Sequence, residues 1–183
     1  MGFADHLERF WPDSVHEDIA SARTAVQQRL PGFRVRRIAP GHKGAAWVYA
    51  TCGAAQASAE GEDGAEYVVL APAEDPVLVE MLAALATVNA DAHGGLGVGS
   101  LVALGRPWTA GSQADHLLVL PPYPFGSGFE VCEEDDRRIV VLWLVPITPA
   151  EAQFVRAQGY EALEQLIERR SANVADPARA SVV

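Results

Sequence analysis

Apolar residues in this chain come in short blocks separated by polar or glycine-rich joints, and the longest block is Ile139-Val140-Val141-Leu142-Trp143-Leu144-Val145. It is too short for a helix that must hide every face, and it is rich in β-branched and aromatic types. It therefore predicts a strand covered on both faces. Pro146 lacks a backbone donor and is expected to end the ladder. Thr148 follows as a helix N-cap, Pro149 takes the first helical position, and Glu151 is placed to reach back to the N–H of the cap. Phe154 and Val155 can face the sheet. Gly159 predicts a left-handed stop, after which Leu163, Leu166 and Ile167 stripe a second helix ending at Arg169-Arg170. The unit reads strand, tight turn, helix, glycine break, helix, and holds no obvious catalytic group.

Elsewhere, Phe3, Leu7, Phe10 and Trp11 space as a short amphipathic helix closed by Pro12-Asp13. Ser14 and Glu17 form a second capping box, which predicts a helix to about Leu30 with Ile19, Ala22, Val26 and Leu30 on its apolar face. Residues 33–38 alternate as a half-buried strand with one basic face, and residues 47–52 and 67–70 read as partners in a hairpin. Between these two, residues 54–64 are small and polar and predict an exposed loop. Asp75-Pro76 opens a helix to about Asn89 whose apolar residues cover most of its circumference. A glycine-rich turn (Gly94, Gly95, Gly97, Gly99) leads to strands at residues 101–104 and 116–120. Residues 123–128 form a loop with two aromatics and residues 129–132 are extended. Glu133-Glu134-Asp135-Asp136 makes an acidic tip that returns the chain into the central strand. Strands in runs, with helices at the ends and one in the middle, predict an α+β fold: one mixed, mostly antiparallel sheet with helices packed on it. No repeat and no long linker divides the chain, so residues 1–183 are expected to form a single domain.

At 183 residues and 49% apolar content, the chain can bury a sizeable core without disulfides or metals. No apolar run approaches the ~20 residues of a membrane span. The N-terminal stretch mixes Asp5, His6, Glu8 and Arg9 with its apolar residues, unlike a secretory leader, so a cytoplasmic location is expected. Cys52 and Cys132 lie in strand-like stretches without metal-ligand spacing. Two buried free thiols are expected, with a disulfide between them as the alternative. The net charge of −10 disfavours a nucleic-acid backbone as partner and suits a basic protein, although acidity also serves solubility. Lys43 is the one lysine among 14 cationic residues, a bias that with the abundant alanine points to a GC-rich bacterial source.

Candidate chemistry is sparse. The glycines between 94 and 99 lie between a helix and a strand, the reverse of a phosphate loop, and no Gly-Lys-Ser/Thr occurs. His116, beside Asp115 and near Ser112, can be drawn as a hydrolase triad. Yet neighbours on a strand point to opposite faces and no nucleophile elbow is present, so an edge histidine is the plainer reading. Asp91 and His93 supply two metal ligands without a third. Glu133 to Asp136 read as a solvated tip that discourages edge pairing, or as a surface that recognises a basic partner. No cofactor and no metal is implied.

Leu144-Val145-Pro146-Ile147-Thr148-Pro149-Ala150-Glu151, followed by Phe154, Gly159 and Leu163, resembles the suppressor of fused domain family. Trp47-Val48-Tyr49-Ala50-Thr51-Cys52-Gly53 is similar to that family's strand ending in a Thr-x-Gly turn, and Glu66-Tyr67-Val68-Val69-Leu70 to its next strand. Residues 101–120 resemble its proline-containing segment with a following Leu-Leu strand. Asp176-Pro177-Ala178-Arg179-Ala180-Ser181-Val182-Val183 resembles its closing Asp-x-x-Arg-x-Ser piece. The resemblance spans roughly residues 30–183 and implies an α/β domain that works by holding another protein. In animals, members restrain Gli transcription factors in Hedgehog signalling through a cleft between two domains. This chain has one domain, so that role is not carried over. Small bacterial members are associated with polymorphic toxin systems as immunity proteins.

The resemblance thus implies a non-enzymatic binding protein of immunity type that blocks a toxin domain, its acidic surface meeting a basic cleft. The matched positions look like core and capping positions, so no contact residue is transferred from the family. On this reading the expected contacts are the acidic tip (Glu133, Glu134, Asp135, Asp136) and the loop aromatics Tyr123 and Phe125. Trp108 is a further aromatic anchor. The alternative is a small hydrolase or ligand-binding enzyme using His116 or His93.

Overall fold

The computed structural model describes residues 2–41, 46–58, 62–91, 95–134 and 137–183. At its centre runs β8 (Arg137–Ile147), the predicted strand extended at both ends. Alternation sends Ile139, Val141, Trp143, Val145 and Ile147 into one core and Leu142 and Leu144 into the other, so both faces are covered as expected. One edge of β8 pairs in parallel with β4 (Gly64–Ala71), from Gly64↔Ile139 to Val68↔Trp143. Its other edge is shared by two antiparallel strands. β7 (Val131–Glu134) lies along Arg137 to Val140, and β6 (His116–Leu120) along Trp143 to Ile147. β5 (Leu101–Ala103) borders β6, while β3 (Trp47–Cys52), β2 (Arg34–Ile38) and β1 (His16–Ile19) continue outward from β4. The resulting eight-stranded sheet has the order β1-β2-β3-β4-β8-β6-β5, with β7 beside β8. The fold is α+β, one mixed sheet in which, among the described residues, only β4 and β8 run parallel.

Helices cover both faces. α2 (Thr24–Arg29) and α3 (Val77–Asp91) close one core around Phe33, Tyr49, Tyr67 and Trp108. α1 (Phe3–Phe10), α4 (Pro149–Gln158) and α5 (Tyr160–Arg169) close the other. α1 also bridges distant parts of the sheet. The Arg36 guanidinium on β2 donates to the Ala4 carbonyl and the Glu8 carboxylate, while the Phe3 N–H donates to Glu134 Oε1 on β7. No helix among the described residues is long and apolar enough to cross a membrane.

The capping box at Thr148 forms as read: the Thr148 N–H donates to Glu151 Oε2 at 2.8 Å and the Glu151 N–H to Thr148 Oγ1 at 3.3 Å. The Glu151 carboxylate is fully buried, and the C-terminal segment completes its shell. Arg179 donates to both its oxygens at 2.7 Å and to the Pro146 carbonyl at 2.9 Å, and the Val182 N–H adds a fourth bond to the carboxylate at 2.9 Å. Burial would raise this carboxyl, but Arg179 and the two backbone donors outweigh it and hold Glu151 below the usual range.

Several local expectations fail, among them an extended Phe129 and Glu130, which close a helical turn before β7. Residues 14–20 do not begin a helix, because His16–Ile19 pairs with β2 and its acids meet the basic residues there. Asp18 accepts from Arg36 Nε at 2.7 Å and from Arg34 Nε at 2.8 Å, and Glu17 pairs with Arg37. Sheet pairing overrides the capping signal, and the helix starts instead at Thr24. Pro146 does not end β8: past Trp143 only β6 flanks the strand, so one edge no longer needs a donor. The stretch after Gly53 is not a plain exposed loop, since Ala54–Ala57 forms a helical turn with Ala54 and Ala55 buried.

Candidate functional site

α5 owes its position to Gly159, whose φ of +87° turns the chain between α4 and α5. Leu163 on α5 is buried and Leu166 and Ile167 are packed against the same core, which fixes the rotation of the helix. Glu161, Glu164 and Glu168 then follow one another at spacings of three and four and share a stripe. Like charges at such spacings destabilise a helix by about 0.2–0.5 kcal/mol per pair.

That stripe edges a groove of about 490 Å³. Its floor is Trp143 and Val145 of β8 with Leu120 of β6, and Tyr123, Ile167 and Val174 flank it. Tyr123 is 57% exposed whereas Trp143 is only 9% exposed, yet the Trp143 indole Nε1 has no hydrogen-bond partner among the described residues. The same holds for Glu164 Oε1. Burial and the neighbouring Glu161 charge both raise the Glu164 carboxyl, and the nearby Tyr123 hydroxyl offsets this in part. The groove is thus apolar at its floor, acidic at its rim, and leaves one donor and one acceptor unpaired.

The charge of the three glutamates is also uncompensated. Several arginines already have acids: Arg23 pairs with Glu80, Arg34 and Arg36 with Asp18, Arg37 with Glu17 and Glu74, Arg138 with Asp63, and Arg179 with Glu151. Glu161, Glu164 and Glu168 have no ion-pair partner among the described residues.

The residues singled out from sequence are scattered. Tyr123 reaches the groove. Phe125 is half-buried in an aromatic cluster, edge-on to Trp11 at 5.2 Å and 4.8 Å from the Phe129 ring. Glu133 and Glu134 stand opposite Arg138 and Arg137, and Glu134 accepts from the Phe3 N–H. Asp135 and Asp136 lie outside the described residues, as does His93. Trp108 requires a correction: it is 2% exposed and packs in the core under α3, so it offers no surface to a partner in this conformation. Its N–H donates to the Ala114 carbonyl at 2.9 Å, which closes the connection over the ring.

His116 does meet Asp115, with Nδ1 2.6 Å from Oδ1, because Asp115 precedes the strand and escapes its alternation. His116 Nε2 faces Arg156 Nη2 at 3.5 Å, while Ser112 Oγ accepts from the Ala114 N–H. The histidine therefore sits between an acid and an arginine, and Ser112 serves its own turn. Both cysteines are buried free thiols, and burial pushes Cys132 up to about 11. No group of three or more His, Cys, Asp or Glu among the described residues is placed to hold a metal ion.

A second unusual carboxylate was not anticipated. Glu66 of β4 is buried, and takes a hydrogen bond from the Thr51 hydroxyl at 2.5 Å and from the N–H groups of Gly53, Ala54 and Ala55 at 2.8, 3.3 and 3.2 Å. No cation among the described residues pairs with it, and burial pushes it up to about 7 against those four donors. The Glu66 cradle explains the Thr-x-Gly turn, since Gly53 at φ +109° bends the backbone so that three successive amides converge.

The suppressor of fused protein (SUFU) family profile matches residues 28–180. No curated protein matches the chain in sequence. Among solved structures, a suppressor of fused homologue from Neisseria gonorrhoeae is similar at 30% identity and a TM-score of 0.86, over 98% of this chain and 94% of that one. The Sufu–Fu complex (14% identity, TM-score 0.69, 98% of this chain and 90% of that one) shares the fold. So does Drosophila Suppressor of Fused, at 13% identity and a TM-score of 0.69. There 99% of this chain covers 50% of the fly protein. The chain belongs to the suppressor of fused family.

Proposed function

We propose that this chain is a non-enzymatic protein-binding domain of the bacterial cytoplasm, an immunity-type partner that holds and blocks a basic toxin domain. The observation that carries the reading is the groove beneath α5, where an apolar floor meets three glutamates without ion-pair partners among the described residues, in a chain of net charge −10. An uncompensated acidic rim attracts a basic surface over several ångströms and speeds encounter, while the apolar floor supplies area to bury once the partner docks. That one member of this fold has been solved as the Sufu–Fu complex supports a binding role over a catalytic one. The exposed Tyr123 ring on the groove's flank is a further contact, and the exposed Glu133 is a candidate contact outside the groove.

The test is capture from the native host at low and then high salt, followed by co-expression. The expected result is a stoichiometric, salt-sensitive partner with a basic domain that arrests growth when expressed alone and not when expressed with this chain. A partner whose toxicity is unaffected by the chain, or no partner at either salt, would overturn the immunity reading.

A further inference from the structure

We propose that the groove beneath α5 receives an arginine side chain carried on an extended segment of the partner. Its guanidinium would meet Glu164, and a neighbouring backbone carbonyl of the segment would accept from the Trp143 indole. This deepens, and rests on, the protein-binding reading above.

Two observations lead to it, of which the unpaired Trp143 indole owes nothing to the acidic edge. The first is charge: Glu161, Glu164 and Glu168 share one edge of the groove without ion-pair partners among the described residues. The second is the pair of unsatisfied buried atoms. Trp143 is nine-tenths buried, and among the described residues its Nε1 lacks an acceptor, while Glu164 Oε1 lacks a donor. Both residues line the same groove, so the described residues leave a buried donor and a buried acceptor unpaired at one place. An occupant that supplies a cationic donor and an amide carbonyl together answers both, and a main-chain segment bearing a basic side chain has that combination.

Arginine fits better than lysine on three counts. Its guanidinium is planar and can lie against the Tyr123 ring, it can engage a carboxylate with two parallel bonds, and it is less strongly hydrated than an ammonium at a partly closed site. The aliphatic stem would cover Leu120 and Val145 on the floor. A volume of about 490 Å³ exceeds one side chain and leaves room for the adjoining backbone and a flanking apolar residue.

The probes are the capped tripeptides Leu-Arg-Leu, Leu-Lys-Leu and Leu-norleucine-Leu, each titrated into the full chain and followed by ¹H–¹⁵N spectra. The Trp143 indole N–H signal is assigned with Trp143→Phe. The arginine peptide should shift that signal saturably, with a dissociation constant on the order of 1 mM or below. The lysine peptide should bind more weakly, and the norleucine peptide should leave the indole unmoved. Glu164→Gln should weaken the arginine peptide about tenfold while the other three of the four tryptophan signals keep their positions. Equal binding of the norleucine or lysine peptide, an unmoved Trp143 signal, or an unchanged affinity in Glu164→Gln would overturn the assignment. A captured partner protein whose affinity is indifferent to Glu164→Gln would also overturn it while leaving the protein-binding reading intact. An arginine peptide that binds when no partner protein is found would do the reverse.

Discussion

Replacing Glu66 with glutamine isolates the energetic cost of a lone buried acid. In the folded chain burial pushes this carboxyl up to about 7 from an ordinary 4.5, although the Thr51 hydroxyl and three backbone amides favour its ionised form. The folded chain therefore holds the proton to higher pH than the unfolded chain. Its contribution to stability is fully present below about pH 4.5 and is lost as the pH rises through about 7. At about 1.4 kcal/mol per pH unit the loss comes to about 3 kcal/mol, a large share of the roughly 5–15 kcal/mol that holds a typical domain together. A glutamine amide does not ionise, so Glu66→Gln should lack this decline. Urea denaturation of both chains at fixed salt, in steps from about pH 5 to about pH 8, should show the variant gaining about 2–3 kcal/mol relative to the parent across the range. Turning an NH₂ group toward the backbone donors adds a penalty of about 1–3 kcal/mol, but that penalty is the same at every pH and cancels in the slope. A stability difference that stays flat with pH would refute the reasoning. It would mean that the four donors, and not burial, set the charge on Glu66.

Arg179→Ala strands the buried Glu151 carboxylate with backbone donors alone, and equilibrium unfolding at neutral pH should show a loss of about 3–5 kcal/mol. In the parent chain Glu151 is held low, so its stabilisation is present above about pH 4.5 and lost in more acidic solution, and acid titration of the two chains should converge there. Trp108→Ala should cost about 3–5 kcal/mol in urea unfolding as a core truncation, while affinity for any captured partner, measured well below the melting point, stays unchanged. Gly64→Ala would set a Cβ 2.6 Å from that of Ala55, and a loss of about 1–3 kcal/mol is expected in the same assay.

The parts of the fold that could be read from sequence are those whose causes are local. Ile139 to Val145 alternate between two cores, and Thr148, Pro149 and Glu151 act within one helical turn, so periodicity and capping chemistry were enough. His16–Ile19 escaped because the groups that hold it extended, Arg34, Arg36 and Arg37, belong to another strand. Trp108 sits between Pro107 and Thr109 and reads as a loop aromatic. Only the bond from its N–H to Ala114 shows that the connection folds the ring inward. The groove was legible in fragments. The acids at 161, 164 and 168 form a visible stripe once α5 is placed, but the floor beneath them joins Trp143 of β8 to Leu120 of β6 and so depends on β6 lying beside β8. Sequence does not supply that pairing. Glu66 looked like an ordinary polar residue on a strand, and its cradle exists because Gly53 aims three amides at it across a hairpin.

The parallel pairing of β4 with β8 divides the sheet into two sequential pieces. β1 to β4 form an antiparallel meander with α2 and α3, and β5 to β8, in which β6 and β7 both pair with β8, form the other piece with α4 and α5. The seam consists of five register pairs, and α1, which belongs to the first piece, reaches across to Glu134 in the second. A cut in the joint between α3 and β5 would therefore leave two fragments with largely self-contained hydrogen bonding and one shared edge. Reassembly of such halves would be bimolecular, with a rate proportional to fragment concentration. That property would make the seam a natural place to build a split reporter of proximity.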